Sequence, residues 1–155
     1  MQDLPRHHLS IAILQPQIAP NTGNIARLCV ATGADLHLVR PMGFVLSDKQ
    51  LRRSAMDYWP RLKLTVHDNT GAFFDFLRER RFWLFDSTGK KTVWEANFRD
   101  GDFLIFGSET RGIDPAILGA RTERTLRLPQ VASERCLNLS TAAGAALYEA
   151  LRQVV

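Results

Sequence analysis

Short apolar runs alternate along the chain with segments whose apolar residues recur every three or four positions. The runs predict buried strands at residues 9–14, 36–39, 62–66, 82–85, 103–106 and 126–128. The helical spacing predicts helices over 21–31, 49–56, 70–80 and 139–154, with a short helix after the Asp114-Pro115 pair. Strands that alternate with helices indicate a mostly parallel sheet covered on both faces, and so a single α/β domain.

The first predicted helix has two distinct faces. Asn21 and Thr22 are expected to cap it and Gly33 to end it, with the apolar residues on one inward face. Asn24 and Arg27 lie three residues apart on another face and are therefore neighbours. Such a polar stripe is usually solvated surface. Asparagines beside an arginine can equally orient a phosphate or sugar, because the guanidinium fork fits phosphate oxygens.

Composition narrows the class of protein. The 155 residues are 45% hydrophobic and 23% charged, which is typical of a soluble globular chain, and we expect one domain over residues 1–155 with a flexible terminus at 1–8. No apolar stretch approaches the roughly 20 residues of a membrane span. Cys29 and Cys136 lack CxxC spacing, so neither a zinc site nor a disulfide framework is indicated, and a reducing cytoplasm fits best. A net charge of +4 permits a polyanionic partner without requiring one.

The two ordinary nucleotide-binding fingerprints are absent from the sequence. No GxGxxG follows the first strand, and GxxxxGK[ST] occurs nowhere. Three other segments place glycines, single charges or small polar residues where a strand meets a helix or loop, which is where open α/β sheets bind ligands. They are NTGNIARLC from Asn21, FGSETRGI from Phe106 and LRLPQVASERCLNLS from Leu126.

Taken singly, two of these segments have simple structural interpretations. In FGSETRGI, Gly107 and Gly112 bracket a turn after a buried strand, and Glu109 and Arg111 project from its rim, as in an ordinary turn with a surface ion pair. In the last segment, Asn138 is a good N-cap for the final helix. That helix contains AAGAALYEAL, whose small residues favour either tight packing on its own sheet or a two-fold interface.

Taken together, the segments resemble the small tRNA 2′-O-methyltransferases of the SPOUT class, in particular those that methylate the wobble ribose. The resemblance includes IAPNTGNIARLC, RPMGF at 40–44, LRR at 51–53, FGSETRG and ERCLNLS, and it runs from Leu9 to the C-terminus. It implies an α/β knot, a rare exception to unknotted topology, formed where the chain around FGSETRG and the final helix threads back. The pattern departs at Thr141, where the class has an asparagine.

The same resemblance implies the chemistry. S-adenosylmethionine would bind bent in the knotted loops, be converted to S-adenosylhomocysteine and require no metal. Its contacts, made mostly through backbone groups, would be Phe85, Gly107, Leu128 and Cys136. The ribose 2′-hydroxyl would be placed by Arg27, which we interpret as a phosphate and ribose clamp, because arginine does not deprotonate in proteins. The remaining catalytic residues would be Asn21, Glu109, Asn138 and Ser140.

Partners are likewise implied by the resemblance. The enzyme would be a homodimer in which Arg27 of one subunit faces the cofactor of the other, with Tyr148 at the junction. Its substrate would be the anticodon stem-loop of tRNA, with leucine tRNAs as the expected substrates and cytidine or uridine at position 34. The RNA would contact Arg52, Arg53, Arg111 and Arg135. The alternatives are another tRNA position or an rRNA ribose, a catalytically silent RNA-binding protein, and a doubly wound protein that binds an acidic metabolite.

Overall fold

In the computed structural model, which describes residues 3–47, 49, 53 and 56–155, seven strands form one sheet. The strands are β1 (Ser10–Leu14), β2 (Asp35–Val39), β3 (Leu64–His67), β4 (Phe82–Phe85), β5 (Lys91–Thr92), β6 (Phe103–Phe106) and β7 (Thr125–Arg127). Their order across the sheet is β3-β2-β1-β6-β4-β7-β5, and each described pair is parallel. The predicted α/β class and parallel sheet are confirmed.

Helices cover both faces of this sheet. Those whose bounds lie within the described residues are α1 (Ala19–Thr32), α2 (Thr70–Phe76), α3 (Pro115–Gly119) and α4 (Leu139–Val154), with 3₁₀ turns at Met56–Arg61, Val93–Glu95 and Thr122–Arg124. Alternate residues of β1 pack in two separate apolar cores, one on each face of the sheet. Ile11 and Ile13 pack with α1 and α4, whereas Ala12 and Leu14 pack with α2. Side chains of a strand alternate between the two faces, so a fully apolar β1 requires a helical layer on each side.

Several predicted boundaries match the structure and several do not. The strands at 82–85 and 103–106 and the helix at 139–154 are confirmed residue for residue. The helix at 70–80 ends at Phe76, and the two-residue strand β5 was not predicted. Of the helix predicted at 49–56, only Lys49, Arg53 and Met56 are among the described residues. Helix α1 begins at Ala19, so the prediction that Asn21 and Thr22 cap it is wrong.

The N-terminal segment is held against the domain at its inner end. His7 is buried, and its Nε2 lies 2.7 Å from the carbonyl oxygen of Thr32 at the end of α1. His8 pairs through Nδ1 with the carboxylate of Asp100 at 2.7 Å. His7 and His8, which fall within the terminus predicted to be flexible at 1–8, thus contact the rest of the domain; the flexibility of this terminus stays a prediction.

The last part of the chain crosses back over the sheet. Strand β7 lies beyond β4, yet the next helix, α4, packs on α1 and β6. The segment that joins β4 to β6 lies against this returning helix, since the Phe98 backbone N–H donates to Gln153 Oε1 at 2.9 Å. Gly89 of the same segment sits on the β7 backbone, where a Cβ would meet the Leu126 carbonyl carbon at 2.6 Å. This return passage lies where the resemblance places the α/β knot, which stays a prediction.

A pair of histidines lies among aromatic rings on the α2 side of the sheet. His37 Nδ1 and His67 Nε2 are 3.0 Å apart, and their rings are stacked with centroids 5.3 Å apart. Phe73, Phe76 and Phe103 surround His37. Burial, the neighbouring His67 and the Arg80 guanidinium lower the pKa of His37 to about 4. The pKa of His67 is also lowered, chiefly by burial. Both rings are therefore neutral at pH 7.

We expect the free energy of unfolding to decrease as the pH falls from 6.5 to 4. In this window the unfolded chain binds a proton at His37 that the folded chain excludes, so stability is complete above pH 6.5 and declines below it. The loss attributable to His37 is about 3 kcal/mol. Urea unfolding at successive pH values measures it. The variant His37→Phe should show a shallower decline; an equal decline would contradict the assignment to His37.

Candidate active site

A cavity of about 710 Å³ opens at the carboxyl ends of β4, β6 and β7. Its floor includes Phe85 and Phe106, the last residues of β4 and β6, whose rings stack at 4.8 Å. The size lies within the range of small-molecule and cofactor sites, which are concave and mostly apolar with a few polar groups. The cavity lies at this edge of the sheet because the parallel strands end there together, which is where open α/β sheets bind ligands.

The walls come from the segments that the sequence singled out. The loop after β6 contributes residues 107–113. The stretch from the end of β7 to the first residue of α4 contributes Leu128, Gln130 and 136–139. All four residues that the resemblance assigns to the cofactor line this cavity: Phe85, Gly107, Leu128 and Cys136. Of the predicted catalytic residues, Asn21, Glu109 and Asn138 line it as well.

Gly107 allows the loop after β6 to fold back on itself. A Cβ at this position would overlap the carbonyl carbon of Gly112 and the backbone nitrogen of Ile113. The turn is closed by Gly112 N–H, which donates to the Ser108 carbonyl at 2.9 Å, and by Arg111 N–H, which donates to Ser108 Oγ at 3.1 Å. Gly112 has φ +64°, a left-handed conformation that glycine adopts without strain. The cavity wall here is therefore mostly backbone.

Glu109 fixes this loop to the start of α1 rather than forming an ion pair with Arg111. Its carboxylate accepts the backbone N–H of Gln17 at 2.9 Å and that of Ile18 at 3.1 Å. Ile18 is the N-cap of α1 and has no side-chain capping bond of its own. A carboxylate at a helix N-terminus is also favoured by the helix dipole. Glu109 thus joins the second segment to the residues that immediately precede α1.

We expect Glu109→Ala to lower the free energy of unfolding by on the order of 2 kcal/mol, because two backbone N–H groups lose a charged acceptor. Affinity for S-adenosylhomocysteine, the ligand that the resemblance implies for this cavity, should fall as well, since the cavity wall loses its attachment to α1. Denaturant unfolding and calorimetry with S-adenosylhomocysteine measure the two effects. Glu79→Ala, at an exposed glutamate on the other side of the sheet, is the matched control. Equal stability of the two variants would contradict the anchoring role.

Two asparagines join the first segment to the third. Asn138 Nδ2 donates to Asn21 Oδ1 at 3.0 Å, a contact between residues 117 positions apart. Asn138 Oδ1 accepts the N–H groups of Ser140 and Thr141 at 2.9 and 3.3 Å, which confirms the predicted N-cap of α4. Ser140 Oγ also donates to Asn138 Oδ1 at 2.6 Å and does not line the cavity. Asn138 therefore caps a helix and holds Asn21 at once.

Arg27 is exposed on α1 and lies outside the cavity of its own chain. It follows Asn21 by six residues, so it sits about 9 Å further along the helix. Its guanidinium carbon is 5.1 Å from the ring centroid of Tyr58, a cation–π contact. Asn24 is exposed on the same face of α1. The catalytic role that the resemblance implies for Arg27 stays a prediction at this point.

The predicted RNA-contacting arginines have different positions. Arg111 lines the mouth of the cavity and is exposed, and Arg135 and Arg53 are also exposed. Arg52 lies outside the described residues. Tyr148 is 56% exposed on α4. The RNA and interface roles of these residues stay predictions.

The two cysteines are unpaired. Cys136 is exposed at the cavity, whereas Cys29 is buried and burial raises the pKa of its thiol. Over the described part of the chain, no three His, Cys, Asp or Glu side chains converge as metal ligands would. Within the same residues, no helix is both long and apolar enough to cross a membrane.

Several cavity residues were not among the predicted ones. Asp86 and Thr88 form a polar rim after β4: Asp86 Oδ1 accepts the N–H and the hydroxyl of Thr88 at 3.0 and 2.7 Å. The position of Asp86, directly after a buried strand, is a signal that could have identified it. Ile18, Leu137 and Ala142 also line the cavity. They are apolar, and no local pattern distinguishes them from core residues.

The chain is similar to known tRNA methyltransferases over almost its whole length. A "tRNA (cytidine(34)-2'-O)-methyltransferase" of Saccharophagus degradans is 42% identical over 146 residues, which cover 94% of this chain and 95% of that protein. The protein of the same name from Escherichia coli K12 is 42% identical over 147 residues, with 94% of each covered.

Solved structures show the same fold. One, described as "Structural insights into the 2-OH methylation of C/U34 on tRNA", superposes with a TM-score of 0.91 at 45% identity, covering 95% of this chain and 96% of that one. The SpoU methyltransferase AviRb from Streptomyces viridochromogenes, in complex with AdoMet, superposes at 0.84 with 26% identity, covering 97% of this chain and 60% of that one.

The sequence model described as the "SpoU rRNA Methylase family" matches residues 8–148. That range contains all three segments that wall the cavity and all but the end of α4. With a match over nearly the whole chain and relatives at 42% identity, the protein belongs to the SpoU methylase family.

Proposed function

We propose that this protein methylates the ribose 2′-hydroxyl of the wobble nucleotide of tRNA, a cytidine or uridine derivative at position 34, with S-adenosylmethionine as methyl donor. The observation that carries the proposal is the single cavity walled by all three sequence segments. The names of the relatives that are 42% identical to this chain supply the substrate and the position. Leucine tRNAs are the proposed substrates.

The cavity fits S-adenosylmethionine in size and in chemistry. Its volume of about 710 Å³ and its mixed apolar and backbone lining suit a nucleoside bound through base edges. Phe85, Gly107, Leu128 and Cys136 would hold the cofactor, which supplies an activated methyl group on a sulfonium and leaves as S-adenosylhomocysteine. Recognition of the adenine base needs no charged side chain in the cavity, because backbone N–H and C=O groups can bind the edge of the base.

The protein must align a weakly acidic hydroxyl and let its proton leave. Holding the reacting groups in the correct geometry accounts for much of the rate in reactions of this type. Arg27 would clamp the target phosphate and ribose through its planar fork while the 2′-oxygen bonds to the methyl carbon and the carbon–sulfur bond breaks. The hydroxyl proton would leave late, to solvent water. Asn138 and Asn21 hold each other at the cavity, and Ser140 supports Asn138, so the donor and acceptor groups are oriented before substrate binds.

In a homodimer, Arg27 of one subunit would face the cofactor bound in the cavity of the other. Arg27 does not line the cavity of its own chain. Helices α1 and α4 pack side by side, and a Cβ added at Gly144 would lie 4.0 Å from Leu28 Cδ2. We call their exposed residues the α1–α4 face; they include Asn24, Arg27, Ala145 and Tyr148. The small residues Ala143 and Ala146 point inward, so tight packing within the chain accounts for part of the AAGAAL pattern. The exposed part of the pattern is the proposed two-fold interface.

The proposed RNA surface consists of Arg52, Arg53, Arg111 and Arg135, drawn from both subunits of the dimer. A single small domain would recognise a short exposed element such as the anticodon loop, whose unstacked bases are readable. Affinity for tRNA should fall as salt rises, since phosphate contacts release counterions.

Methyl transfer to defined tRNA tests the proposed function. Labelled S-adenosylmethionine is incubated with leucine tRNA lacking wobble 2′-O-methylation, and nuclease digestion with mass spectrometry locates the product. The expected result is methylated ribose at position 34 and nowhere else. Label at another tRNA ribose, or in rRNA fragments supplied in parallel, would retain the chemistry and overturn the substrate. Cofactor binding without transfer to any RNA would overturn the enzymatic proposal.

A further inference from the structure

Two arginines share one tyrosine ring beside α1. The ring of Tyr58 lies in the turn Met56–Arg61 and has the guanidinium carbon of Arg27 at 5.1 Å and that of Arg61 at 5.3 Å from its centroid. Both distances are within the range of cation–π attraction. Tyr58 thus joins a residue of α1 to a residue 34 positions later in the chain.

The turn that carries Tyr58 has a fixed position. Trp59, its neighbour, packs against the apolar core shared with α1, and its carbonyl accepts the N–H of Leu62 at 3.1 Å. Pro60 restricts the backbone between Tyr58 and Arg61. Tyr58 is half-buried, whereas Arg27 and Arg61 are exposed. The ring is therefore held in place while the two guanidinium groups face solvent.

The charges around this ring are unbalanced. Among the described residues, no carboxylate lies within 4.0 Å of Arg27 or Arg61. Two like charges gathered at one ring repel each other, and an anion bound between or across them removes that cost. Because each guanidinium is a planar fork with several N–H donors, phosphate oxygens match it better than a single point charge does. The arrangement is suited to a polyphosphate backbone.

We propose that Arg61 and Arg27, held apart and oriented by Tyr58, form a binding site for neighbouring phosphates of the RNA strand next to the methylated nucleotide. The proposal rests on the proposed function for the identity of the strand. Arg61 contacts RNA directly, and Tyr58 is a positioning residue that acts through the two arginines. The site would extend the RNA surface from Arg27 along α1 toward β3, away from the mouth of the cavity.

Binding of leucine tRNA to the full-length protein, measured by fluorescence anisotropy over a series of NaCl concentrations with S-adenosylhomocysteine present, tests this site. We expect Arg61→Ala to raise the Kd about tenfold and to reduce the slope of log K against log salt by about 0.7 for the lost phosphate. Tyr58→Leu should have a similar effect, and Tyr58→Phe, which keeps the ring, should restore wild-type binding. Arg78→Ala removes an exposed arginine near α2 and is the matched control.

The outcomes separate this proposal from the proposed function. Unchanged tRNA affinity and salt slope in Arg61→Ala would overturn the phosphate site even if the wild-type protein methylates position 34. Equal weakening by Tyr58→Phe and Tyr58→Leu would overturn the role of the ring. Calorimetric S-adenosylhomocysteine binding at wild-type strength in each variant shows that the fold is intact. Methylation by the wild type at another RNA site would overturn the substrate while the loss in Arg61→Ala still supports the phosphate site.

Discussion

Replacing Arg27 by lysine is expected to reduce kcat for methyl transfer by at least about 100-fold, because the substrate loses its alignment. Lysine keeps the positive charge, but it lacks the planar fork that can hold a phosphate and a ribose oxygen together. It also makes a weaker contact with the Tyr58 ring, which Arg27 meets at 5.1 Å. Stability should change little, since Arg27 is exposed and lies outside the cavity of its own chain.

Single-turnover methylation with saturating cofactor and tRNA measures this effect directly. Arg78→Lys makes the same chemical change at an exposed arginine near α2 and should leave the rate unchanged. Calorimetry with S-adenosylhomocysteine should give wild-type affinity for both variants. A rate for Arg27→Lys within a few-fold of the wild type would show that charge alone suffices, and the clamp would have to be abandoned.

A mixing experiment tests whether Arg27 acts across the proposed two-fold interface. The experiment mixes the variant Arg27→Lys with a second variant, Ala142→Trp. The second variant places a large ring in the cavity wall and should prevent cofactor binding. Each variant alone is expected to be inactive. In a mixed dimer, one site would combine the intact cavity of the Arg27→Lys chain with Arg27 of the other chain. Recovery of methyl transfer on mixing is expected, and its absence would place Arg27 and the cofactor in the same chain.

The second large effect is expected for Gly107→Ala, which should lower the free energy of unfolding by about 3 kcal/mol or more. The added methyl group would overlap the backbone of Gly112 and Ile113, and backbone atoms cannot move aside as a flexible side chain can. In a chain of this size the melting temperature should fall by about 6–12 °C. Cofactor-product affinity should fall too, because residues 112 and 113 line the cavity.

Gly119→Ala is the matched control for this substitution. Gly119 is the last residue of α3, and a Cβ there would meet nothing within 4 Å. Thermal unfolding of the two variants side by side should therefore separate a steric effect from a general cost of replacing glycine. Similar melting temperatures for both would contradict the close approach of the loop at Gly107.

The fold class could be predicted from sequence because its strongest signals are local. The apolar runs of β4 and β6 are short, continuous and flanked by polar residues, so their bounds at 82–85 and 103–106 were predicted correctly. The start of α4 was also predicted correctly, because the N-cap Asn138 bonds only to Ser140 and Thr141, its close neighbours in sequence. Strand β5, two residues long, pairs with β7 through a contact distant in sequence, and no local pattern announces it.

The start of α1 shows where local rules fail. Asn21 is a good capping residue by type, yet the helix begins two residues earlier and leaves Asn21 buried inside its first turn. The N–H groups ahead of the helix find their acceptor in Glu109, more than 90 positions away. A sequence rule that looks only at neighbours cannot detect a cap supplied by another segment. Glu109 itself was predicted as a site residue, but its backbone contacts were not.

The segments that line the cavity could be predicted from sequence, but the contacts between them could not. Resemblance to the SPOUT class placed Phe85, Gly107, Leu128 and Cys136 at the cofactor, and all four line one cavity. The bond between Asn138 and Asn21 spans 117 positions, so only the folded chain reveals it. Tyr58 was not predicted, because an isolated tyrosine in a short turn has no recognisable pattern.

The return of the chain across the sheet has a consequence for the order of events during synthesis. Residues 136–139 and Ala142, which complete the cavity, are synthesised only after all seven described strands. Until they emerge, α1 lacks the helix that packs beside it and Asn21 lacks the partner that orients it. A nascent chain that has not reached Ala142 therefore has an incomplete cavity, so a ligand of this cavity can stabilise the fold only after the chain has crossed back over the sheet.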